Sequence, residues 1–345
     1  MVFVPDPRTV DVAADRGLWR SDSSAAISVR RLAKHFAQLE AVRGIDFEVR
    51  CGETFGFLGP NGAGKSTTIN ILCTLTEPSS GSAQVAGFDV VRERAEVRRH
   101  IGLVFQDTTI DDYLSAEQNL RFHAEVYALP AAVVPGRMRQ LLEMVGLWER
   151  RNALVRTFSG GMKRRLEIAR GLLHSPRVLF LDEPTIGLDP QTRSSVWDYI
   201  ARLKRNEATT IFLTTHYMDE AERCDRIAII DAGRIVALGT PESLKRHVGE
   251  DVVQVRTADD DAAMTALVRI FRVEPSRSHG SIRFSVPDGE RFVPRLCAEL
   301  GVQILTVSVM RPSLDDVFMA FTGKAIRDTD SSTPQTSRAP SPLAG

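Results

Sequence analysis

The chain has 345 residues, with 44 Lys and Arg against 44 Asp and Glu, so its formal net charge is zero. This balance argues against a general nucleic-acid-binding protein, which usually carries a clear basic excess. The length suits one large domain plus a smaller one. Four scattered cysteines without metal-type spacing favour a reducing, cytoplasmic compartment. The sequence offers no run of roughly 20 mostly apolar residues, which a membrane-spanning helix needs, so any membrane role is predicted to come through a partner.

Four regions are predicted along the chain. Residues 1–26 are expected to form a loose leader, and residues 324–345, which are rich in Ser, Thr and Pro, a disordered tail. Residues 27–247 alternate short apolar runs with helical patterns, which predicts a large α/β domain. Residues 250–323 have a different rhythm and are predicted to form a small α+β accessory domain.

Five apolar runs in the large region predict buried parallel strands, because strands covered on both faces are apolar nearly throughout. They are Thr54–Leu58, Ile101–Phe105, Val178–Leu181, Thr210–Thr214 and Ile227–Ile230. Two helical stripes lie between them, formed by Met162, Leu166, Ala169 and Leu173 and by Val196, Ile200 and Leu203. This alternation predicts a doubly wound fold.

The first buried strand runs into a loop with the G-x-x-x-x-G-K-[ST] pattern of a phosphate-binding site. Its residues are Gly59, Pro60, Asn61, Gly62, Ala63, Gly64, Lys65, Ser66 and Thr67. Glycines let successive N–H groups converge on phosphate oxygens, and the helix that begins near Lys65 adds its positive dipole end. Lys65 is predicted to neutralise the β/γ-phosphates and Ser66 to coordinate Mg²⁺. The pattern thus predicts a nucleoside triphosphate site over an ordinary Gly-rich turn.

Polar residues follow three further predicted strands. Gln106 follows one, Asp182 and Glu183 follow the next, and His216 lies just beyond the last. Because ligands bind at the carboxyl ends of parallel strands, we expect these side chains beside the loop. Asp182 is predicted to orient toward Mg²⁺, Glu183 to polarise the attacking water, Gln106 to coordinate Mg²⁺ and water, and His216 to donate to the γ-phosphate. Solvent-facing or purely structural residues are the alternatives.

A second anion-binding element is predicted at Ser159, Gly160 and Gly161. Ser159 suits a helix N-cap, and the two glycines expose N–H groups at a helix start; a plain capping turn is the alternative. The next residues, Lys163, Arg164 and Arg165, oppose the helix dipole. They are therefore expected to face a nearby anion or solvent.

The accessory region has the predicted order β-α-β-β-α-β, which is a ferredoxin-like arrangement. The strands are Asp251–Arg256, a short one at Phe271–Val273, Ile282–Val286 and one through Leu305, Val307 and Val309; the helices are Ala262–Ile270 and Phe292–Leu300. A last helix is expected to place Leu314, Val317, Phe318 and Phe321 on one face, with Ser313 as N-cap and Asp316 in its first turn.

In this order, the motifs resemble those of the ATP-binding subunits of ABC transporters. Gly59–Thr67 is similar to Walker A, Gln106 to the Q-loop, Ser159-Gly160-Gly161 to the signature motif, Val178–Glu183 to Walker B with its catalytic glutamate, Gly187-Leu188-Asp189 to the D-loop and His216 to the switch histidine. Phe36 falls where the family stacks an aromatic ring on adenine; a core phenylalanine is the alternative.

The resemblance implies a P-loop nucleotide-binding domain of ABC type, with a helical subdomain carrying the signature motif. It also implies ATP and Mg²⁺ as ligands and head-to-tail pairing, in which Ser159, Gly160 and Gly161 contact the γ-phosphate held by the other subunit. A single set of motifs then implies a homodimer or a related partner chain. No nucleic acid is expected as a partner, and contact with the cytoplasmic face of the membrane is expected only through a separate permease.

Two signature positions depart from the common pattern of the family. Phe158 replaces the usual Leu, and Met162 replaces the usual Gln, whose polar contact a thioether cannot supply. Both changes, and the closing Pro312–Phe318 segment, resemble the daunorubicin-resistance-type subfamily. This resemblance implies an ATP-hydrolysing subunit that powers efflux of a hydrophobic compound. A soluble ABC ATPase with a non-transport role and a regulatory module that binds ATP without turnover are the alternatives.

Overall fold

The structure is a computed structural model that describes residues 25–207, 209–278 and 281–323, without the side chains of residues 203, 205–207 and 278. Three predictions lie outside the described residues: the leader up to residue 24, the tail from residue 324, and the Leu203 side chain of one helical stripe. Within the described part, no helix is long and apolar enough to cross a membrane.

In the described part of the chain, ten strands precede residue 240. They are β1 (Ala25–Phe36), β2 (Leu39–Arg50), β3 (Thr54–Leu58), β4 (Ser80–Val85), β5 (Phe88–Asp89), β6 (Ile101–Val104), β7 (Val178–Asp182), β8 (Thr210–Thr215), β9 (Arg226–Asp231) and β10 (Arg234–Gly239). The helices among and after them are α1 (Lys65–Leu72), α2 (Arg94–His100), α3 (Ala116–Val126), α4 (Val134–Met144), α5 (Gly160–Gly171), α6 (Pro190–Glu207), α7 (Met218–Ala221) and α8 (Pro241–Val248).

Six of these strands form the central sheet, in the order β10-β9-β3-β8-β7-β6. All neighbours are parallel except β9 and β10. Every residue of β3, β7 and β8 is buried, as expected of strands covered on both faces. The predicted α/β fold with five buried strands is therefore confirmed. The β6 strand stops at Val104, because Phe105 is already exposed where the chain leaves the sheet.

A second, antiparallel sheet has the order β2-β1-β4-β5 and was not predicted. It begins at Ala25, so the last two residues of the predicted leader belong to β1. Aromatic rings join it to the central sheet: the Phe47 ring lies 5.7 Å from Phe55, 5.6 Å from Phe57 and 6.0 Å from Phe212, between ring centroids. Large buried rings contribute much apolar area, so this cluster fixes β2 over β3 and β8.

Helices α3, α4 and α5 form a helical subdomain with its own buried side chains. Leu120 of α3, Leu141 of α4 and Leu166 of α5 are fully buried in one apolar cluster. Met162 is partly buried and packs against the same cluster. The thioether at this position therefore acts as core material, which a flexible apolar side chain does well. The predicted helical subdomain that carries the signature motif is confirmed.

The accessory region contains β11 (Asp251–Thr257), α9 (Asp260–Ala266), β12 (Ser276–Ser278), β13 (Ser281–Val286), α10 (Gly289–Glu299) and β14 (Ile304–Met310). Its antiparallel sheet has the order β12-β13-β11-β14, so each β-α-β unit has another strand between its two strands. The β-α-β-β-α-β succession agrees with the ferredoxin-like prediction.

The predicted strand at Phe271–Val273 is wrong. Leu267–Phe271 instead extends α9 as a π-helical turn, and Arg272 ends it in a left-handed conformation with φ of 57°. The second strand of the region begins only at Ser276. A wider turn of this kind keeps apolar residues on one face, so the apolar pattern alone could not distinguish it from a strand.

The last helix, α11 (Leu314–Thr322), packs against α8 and β10. Its Leu314, Val317 and Phe318 belong to the same apolar cluster as Leu244 of α8. Ser313 caps it as predicted: the Ser313 hydroxyl accepts from the Asp316 N–H, and the Asp316 carboxylate accepts from the Ser313 N–H, which forms a capping box.

Candidate functional site

The loop Gly59–Thr67 connects β3 to α1 and depends on two glycines in left-handed conformations. Gly62 has φ of 78° and Gly64 has φ of 106°. A Cβ atom on Gly64 would lie 2.5 Å from the Ala41 carbonyl oxygen of β2. Any larger residue at 64 would therefore clash with backbone as well as adopt a strained φ. The hairpin β1–β2 thus lies directly against the loop.

Lys65 is the first residue of α1 and is 4% exposed. Its Nζ donates to the Gly59 carbonyl at 2.7 Å and to the Pro60 carbonyl at 3.2 Å, and it lies 3.1 Å from Glu183 Oε1. A buried ammonium needs such partners. The same contacts hold the loop around the Lys65 side chain.

Ser66 and Asp182 bring two hard oxygen donors to the mouth of the loop. The Ser66 hydroxyl lies 3.5 Å from Asp182 Oδ1, and the Thr214 hydroxyl of β8 also donates to Asp182 Oδ1. Burial at the end of β7 raises the pKa of Asp182, although the Thr214 and Ser66 hydroxyls act in the opposite direction. A hydroxyl and a carboxylate at this spacing fit the oxygen ligand set that Mg²⁺ prefers.

Glu183 lies between Lys65 and His216. His216 Nδ1 is 3.2 Å from Glu183 Oε2, while Lys65 Nζ contacts the other carboxylate oxygen. Burial opposes ionisation, but the hydrogen bond from His216 and the charge of Lys65 outweigh it, so the pKa of Glu183 is lowered. The carboxylate is therefore a charged acceptor with one partner on each oxygen. Glu183 also has φ of 45°, which is rare for a residue with a side chain.

The structure thus brings together Lys65, Ser66, Asp182, Glu183 and His216, all of which were predicted as site residues. Their predicted roles stay predictions.

Two predicted residues lie outside this chain of contacts. Gln106 is exposed, two residues beyond the end of β6 at the same edge of the sheet. Phe36 is 46% exposed at the end of β1, with Lys34 Nζ 4.9 Å from its ring centroid. The alternative of a core phenylalanine is therefore excluded, and the ring is available for stacking.

Ser159 caps α5, because its hydroxyl accepts from the Met162 N–H at 3.3 Å. Ser159 and Gly160 are exposed, whereas Gly161 is buried against α6. Within the described residues, no hydrogen bond joins Ser159 to the loop Gly59–Thr67. The two predicted anion-binding elements are thus separate features of one chain.

The two signature glycines are expected to respond differently to substitution by Ala. A Cβ on Gly161 would lie 2.2 Å from Thr192 Cγ2, whereas one on Gly160 would meet only Leu188 Cδ2 at 3.6 Å. We expect Gly161→Ala to lower the free energy of unfolding by about 1–3 kcal/mol through overpacking, and Gly160→Ala to leave it nearly unchanged. Thermal and urea unfolding of both variants measures this. Adding Thr192→Ser, which removes the clashing methyl group, should restore the stability of Gly161→Ala, and equal stabilities of the two single variants would contradict the assignment.

Of the basic residues at the start of α5, Lys163 faces a carboxylate, as predicted, whereas Arg164 and Arg165 donate chiefly to backbone carbonyls. Lys163 pairs with Asp112 at 2.7 Å, and Arg165 donates to the Val145 carbonyl at 2.8 Å. Arg164 is buried and donates to backbone carbonyls at the end of β7. Sequence reasoning missed this last contact, which only the packing of α5 against the sheet creates.

Strand β3 runs into a glycine loop that surrounds a buried lysine, and β7 of the same parallel sheet ends in two carboxylates beside it. This arrangement defines a P-loop nucleoside triphosphatase. Comparison with models of known protein families agrees with this class and assigns the chain to a narrower group within it. The model of the ABC transporter family matches residues 42–186, and that of the C-terminal domain of DrrA1-3-like ATP-binding proteins matches residues 239–322.

Relatives and solved structures give the same result. The chain is 40% identical over 307 residues to the daunorubicin resistance ATP-binding protein DrrA3 of Streptomyces coeruleorubidus, covering 87% of this chain and 97% of that protein. It is 37% identical over 311 residues to the linearmycin resistance ATP-binding protein LnrL of Bacillus subtilis, covering 88% and 100%. The structure of cbiO1 from Clostridium perfringens, part of the ABC transporter complex cbiONQ, matches with a TM-score of 0.61 at 27% identity, over 72% of this chain and 97% of that one.

The chain belongs to the ATP-binding proteins of ABC transporters, and it carries the C-terminal domain of their DrrA-like members. It binds ATP and is an ATP hydrolase coupled to transport.

Proposed function

We propose that this protein works as a homodimer on the cytoplasmic face of a membrane, where it powers export of a hydrophobic compound through a separate permease. The observation that carries the proposal is the contact chain Lys65–Glu183–His216 beside the phosphate-binding loop. The names of relatives support the cargo class, since several are resistance proteins for daunorubicin, doxorubicin or linearmycin. In this proposal, residues 27–247 are the ATPase domain and residues 250–323 the accessory domain.

The residues divide the work of hydrolysis between them. Ser66, Asp182 and Gln106 would hold Mg²⁺, which supplies positive charge to the phosphate oxygens when bound. Lys65, already desolvated by the loop, stabilises negative charge that develops on the transferred phosphoryl group. Glu183, which is ionised, accepts a proton from the attacking water. His216 orients the Glu183 carboxylate and is placed to sense the γ-phosphate.

Exposure of the signature turn supports the homodimer. Ser159 and Gly160 present a serine side chain and helix N-terminal N–H groups to solvent, and among the residues that the structure describes no hydrogen bond joins Ser159 to the loop Gly59–Thr67. The N-terminus of a helix favours an anion. A second copy could therefore bring this turn onto the phosphates held by the first. The related ATP-binding cassette MJ0796 was solved as a dimer, with a TM-score of 0.57 at 25% identity.

Exposed apolar side chains between the two subdomains support docking of a permease. A cleft of about 480 Å³ between α3, α5 and the end of β6 is lined by Leu75, Leu103, Phe105 and Tyr127, with Arg98 and Arg170 also lining it. Leu75 is 51% exposed, and Phe122 on α3 is 62% exposed. Exposed apolar surface of this kind is typical of an interaction site.

We expect Leu75→Ser and Phe122→Ser to remove most of the permease-dependent stimulation of ATP turnover while leaving the turnover of the isolated protein unchanged. Removing buried apolar contacts costs an interface about 1–3 kcal/mol each, or roughly 5- to 150-fold in affinity. Val268→Ser in the accessory domain, where Val268 is 56% exposed, is the matched control. Stimulation assays with membranes containing the co-expressed permease measure the effect; unchanged stimulation in both variants would place docking elsewhere.

Co-purification tests the proposed function directly. The full chain should capture a multi-span membrane protein that raises its ATPase activity. A purified dimer that captures no membrane protein would favour an ABC ATPase with a non-transport role. A dimer that shows no turnover, even with its permease, would favour a regulatory module that binds ATP.

A further inference from the structure

Arg164 connects helix α5 to the backbone at the ends of two strands. It is 6% exposed, and its guanidinium donates to four carbonyl oxygens. Nε donates to Pro184 at 2.7 Å, and Nη2 donates to Asp182 at 3.0 Å and to Glu183 at 3.2 Å. Nη1 donates to Phe105, the residue before Gln106. One side chain thus contacts both segments that carry predicted site residues.

Glu167 and Arg170 continue the same face of α5 and hold the other end of the Gln106 segment. Glu167 is fully buried, and its carboxylate accepts from Arg164 Nη1 at 3.1 Å and from the Thr109 N–H at 2.7 Å. Arg170 donates to the Thr109 carbonyl at 2.8 Å. Positions 164, 167 and 170 therefore fix residues 105–109 at both ends.

Glu183 needs such support because its backbone is strained. Its φ of 45° lies in the left-handed region, which is unfavourable for a residue with a side chain. Hydrogen bonds hold both sides of this residue: the Glu183 N–H donates to Thr214 Oγ1 at 3.0 Å, and the Glu183 carbonyl accepts from Arg164. The backbone angle sets the direction of the carboxylate toward Lys65 and His216.

We propose that Arg164, charge-paired with Glu167, is a positioning residue that holds the Glu183 backbone and the Gln106 segment in one fixed arrangement. Arg164 acts through backbone carbonyls and touches no reacting group. A planar guanidinium can serve several carbonyls in different directions at once, whereas the ammonium of lysine is a compact point charge on a flexible stem. The inference rests on the proposed catalytic role of Glu183.

Arg164→Lys tests the proposal, because it keeps a positive charge beside Glu167 but loses the bridging geometry. We expect kcat for ATP to fall about 10- to 100-fold, as small misplacements of reacting groups do, with KM for ATP close to the parent value. Arg165→Lys is the matched control: it lies next in the same helix and bonds the Val145 carbonyl and the Tyr199 hydroxyl. Its kcat should stay near that of the parent. A parental kcat in Arg164→Lys would overturn the proposal.

A double-variant cycle separates positioning of Glu183 from a general structural effect. In a Glu183→Gln background, Arg164→Lys should cause little further loss in single-turnover hydrolysis, because the group it positions is already gone. An equal loss in both backgrounds would overturn the positioning role while leaving the assignment of Glu183 intact. Conversely, wild-type turnover by Glu183→Gln alone would overturn the catalytic assignment itself.

If the Arg164→Lys variant does not fold, Glu167→Gln tests the proposal instead. The amide oxygen can still accept from the Thr109 N–H, but the charge that pairs with Arg164 is lost. We expect a smaller fall in kcat than for Arg164→Lys, again with KM for ATP unchanged, in protein whose thermal unfolding shows a single native transition. An unchanged kcat in that folded variant would overturn the proposal.

Discussion

Glu183→Gln is expected to abolish steady-state ATP hydrolysis while ATP binding is retained. The amide can still accept a hydrogen bond from Lys65 or His216, so the site keeps its shape, but it cannot take a proton from water. Loss of a general base costs about 10²–10⁴ in rate. Phosphate release measures turnover, and binding of a fluorescent ATP analogue measures affinity.

The same variant should accumulate as an ATP-bound dimer, because hydrolysis is the step proposed to release the two subunits. Size-exclusion chromatography with and without Mg-ATP measures this shift. Glu143→Gln is the matched control, since Glu143 pairs with Arg139 on the outer face of α4, away from the loop. Turnover at the parental rate in Glu183→Gln would contradict the assignment of the base.

Lys65→Met is expected to remove both tight ATP binding and turnover. Methionine keeps an unbranched side chain of similar length, so the loop loses charge more than volume. Removing one electrostatic contact to a developing phosphoryl charge costs about 10²–10³ in rate. The Lys65 charge also helps to lower the pKa of Glu183, so its loss should make that carboxylate easier to protonate in the free protein.

The measurement for Lys65→Met is kcat/KM together with the Kd for ATP. Lys163→Met is the control, because Lys163 belongs to the partly exposed pair with Asp112. The two principal variants are thus distinguishable: Glu183→Gln should bind ATP and fail to turn it over, whereas Lys65→Met should bind ATP poorly. Parental kcat/KM in Lys65→Met would contradict the predicted role of this residue.

Much of the site could be predicted from the sequence, because the carboxyl ends of parallel strands lie at the same edge of a sheet. Once Thr54–Leu58 and Val178–Leu181 were predicted as strands of one parallel sheet, the residues after them were expected at the same edge of that sheet. Contacts that depend on packing between distant elements could not be predicted. The bond from Arg164 to the Glu183 carbonyl exists only because α5 packs across the end of β7.

The antiparallel sheet was not predicted from the sequence, for a different physical reason. The pairing of β1 with β2 shifts register between Val29 and Leu32 and again nearby, so the two-residue alternation that identifies a half-buried strand is interrupted. Local periodicity cannot show a register shift, which is set by the partner strand. The exposure of Phe36 at the end of β1 could not be predicted either, because it depends on the position of the β1–β2 hairpin.

Helix α11, at the end of the proposed accessory domain, packs against α8 at the end of the proposed ATPase domain, so the chain returns to α8 after the accessory sheet. Gly249, where the chain leaves α8, lies next to Pro312, where it returns: a Cβ on Gly249 would be 3.8 Å from Pro312 Cγ. Both ends of the accessory sheet are therefore anchored at one point of the same domain. We expect that a short linker joining the chain on either side would replace the sheet while keeping the packing of α11 against α8.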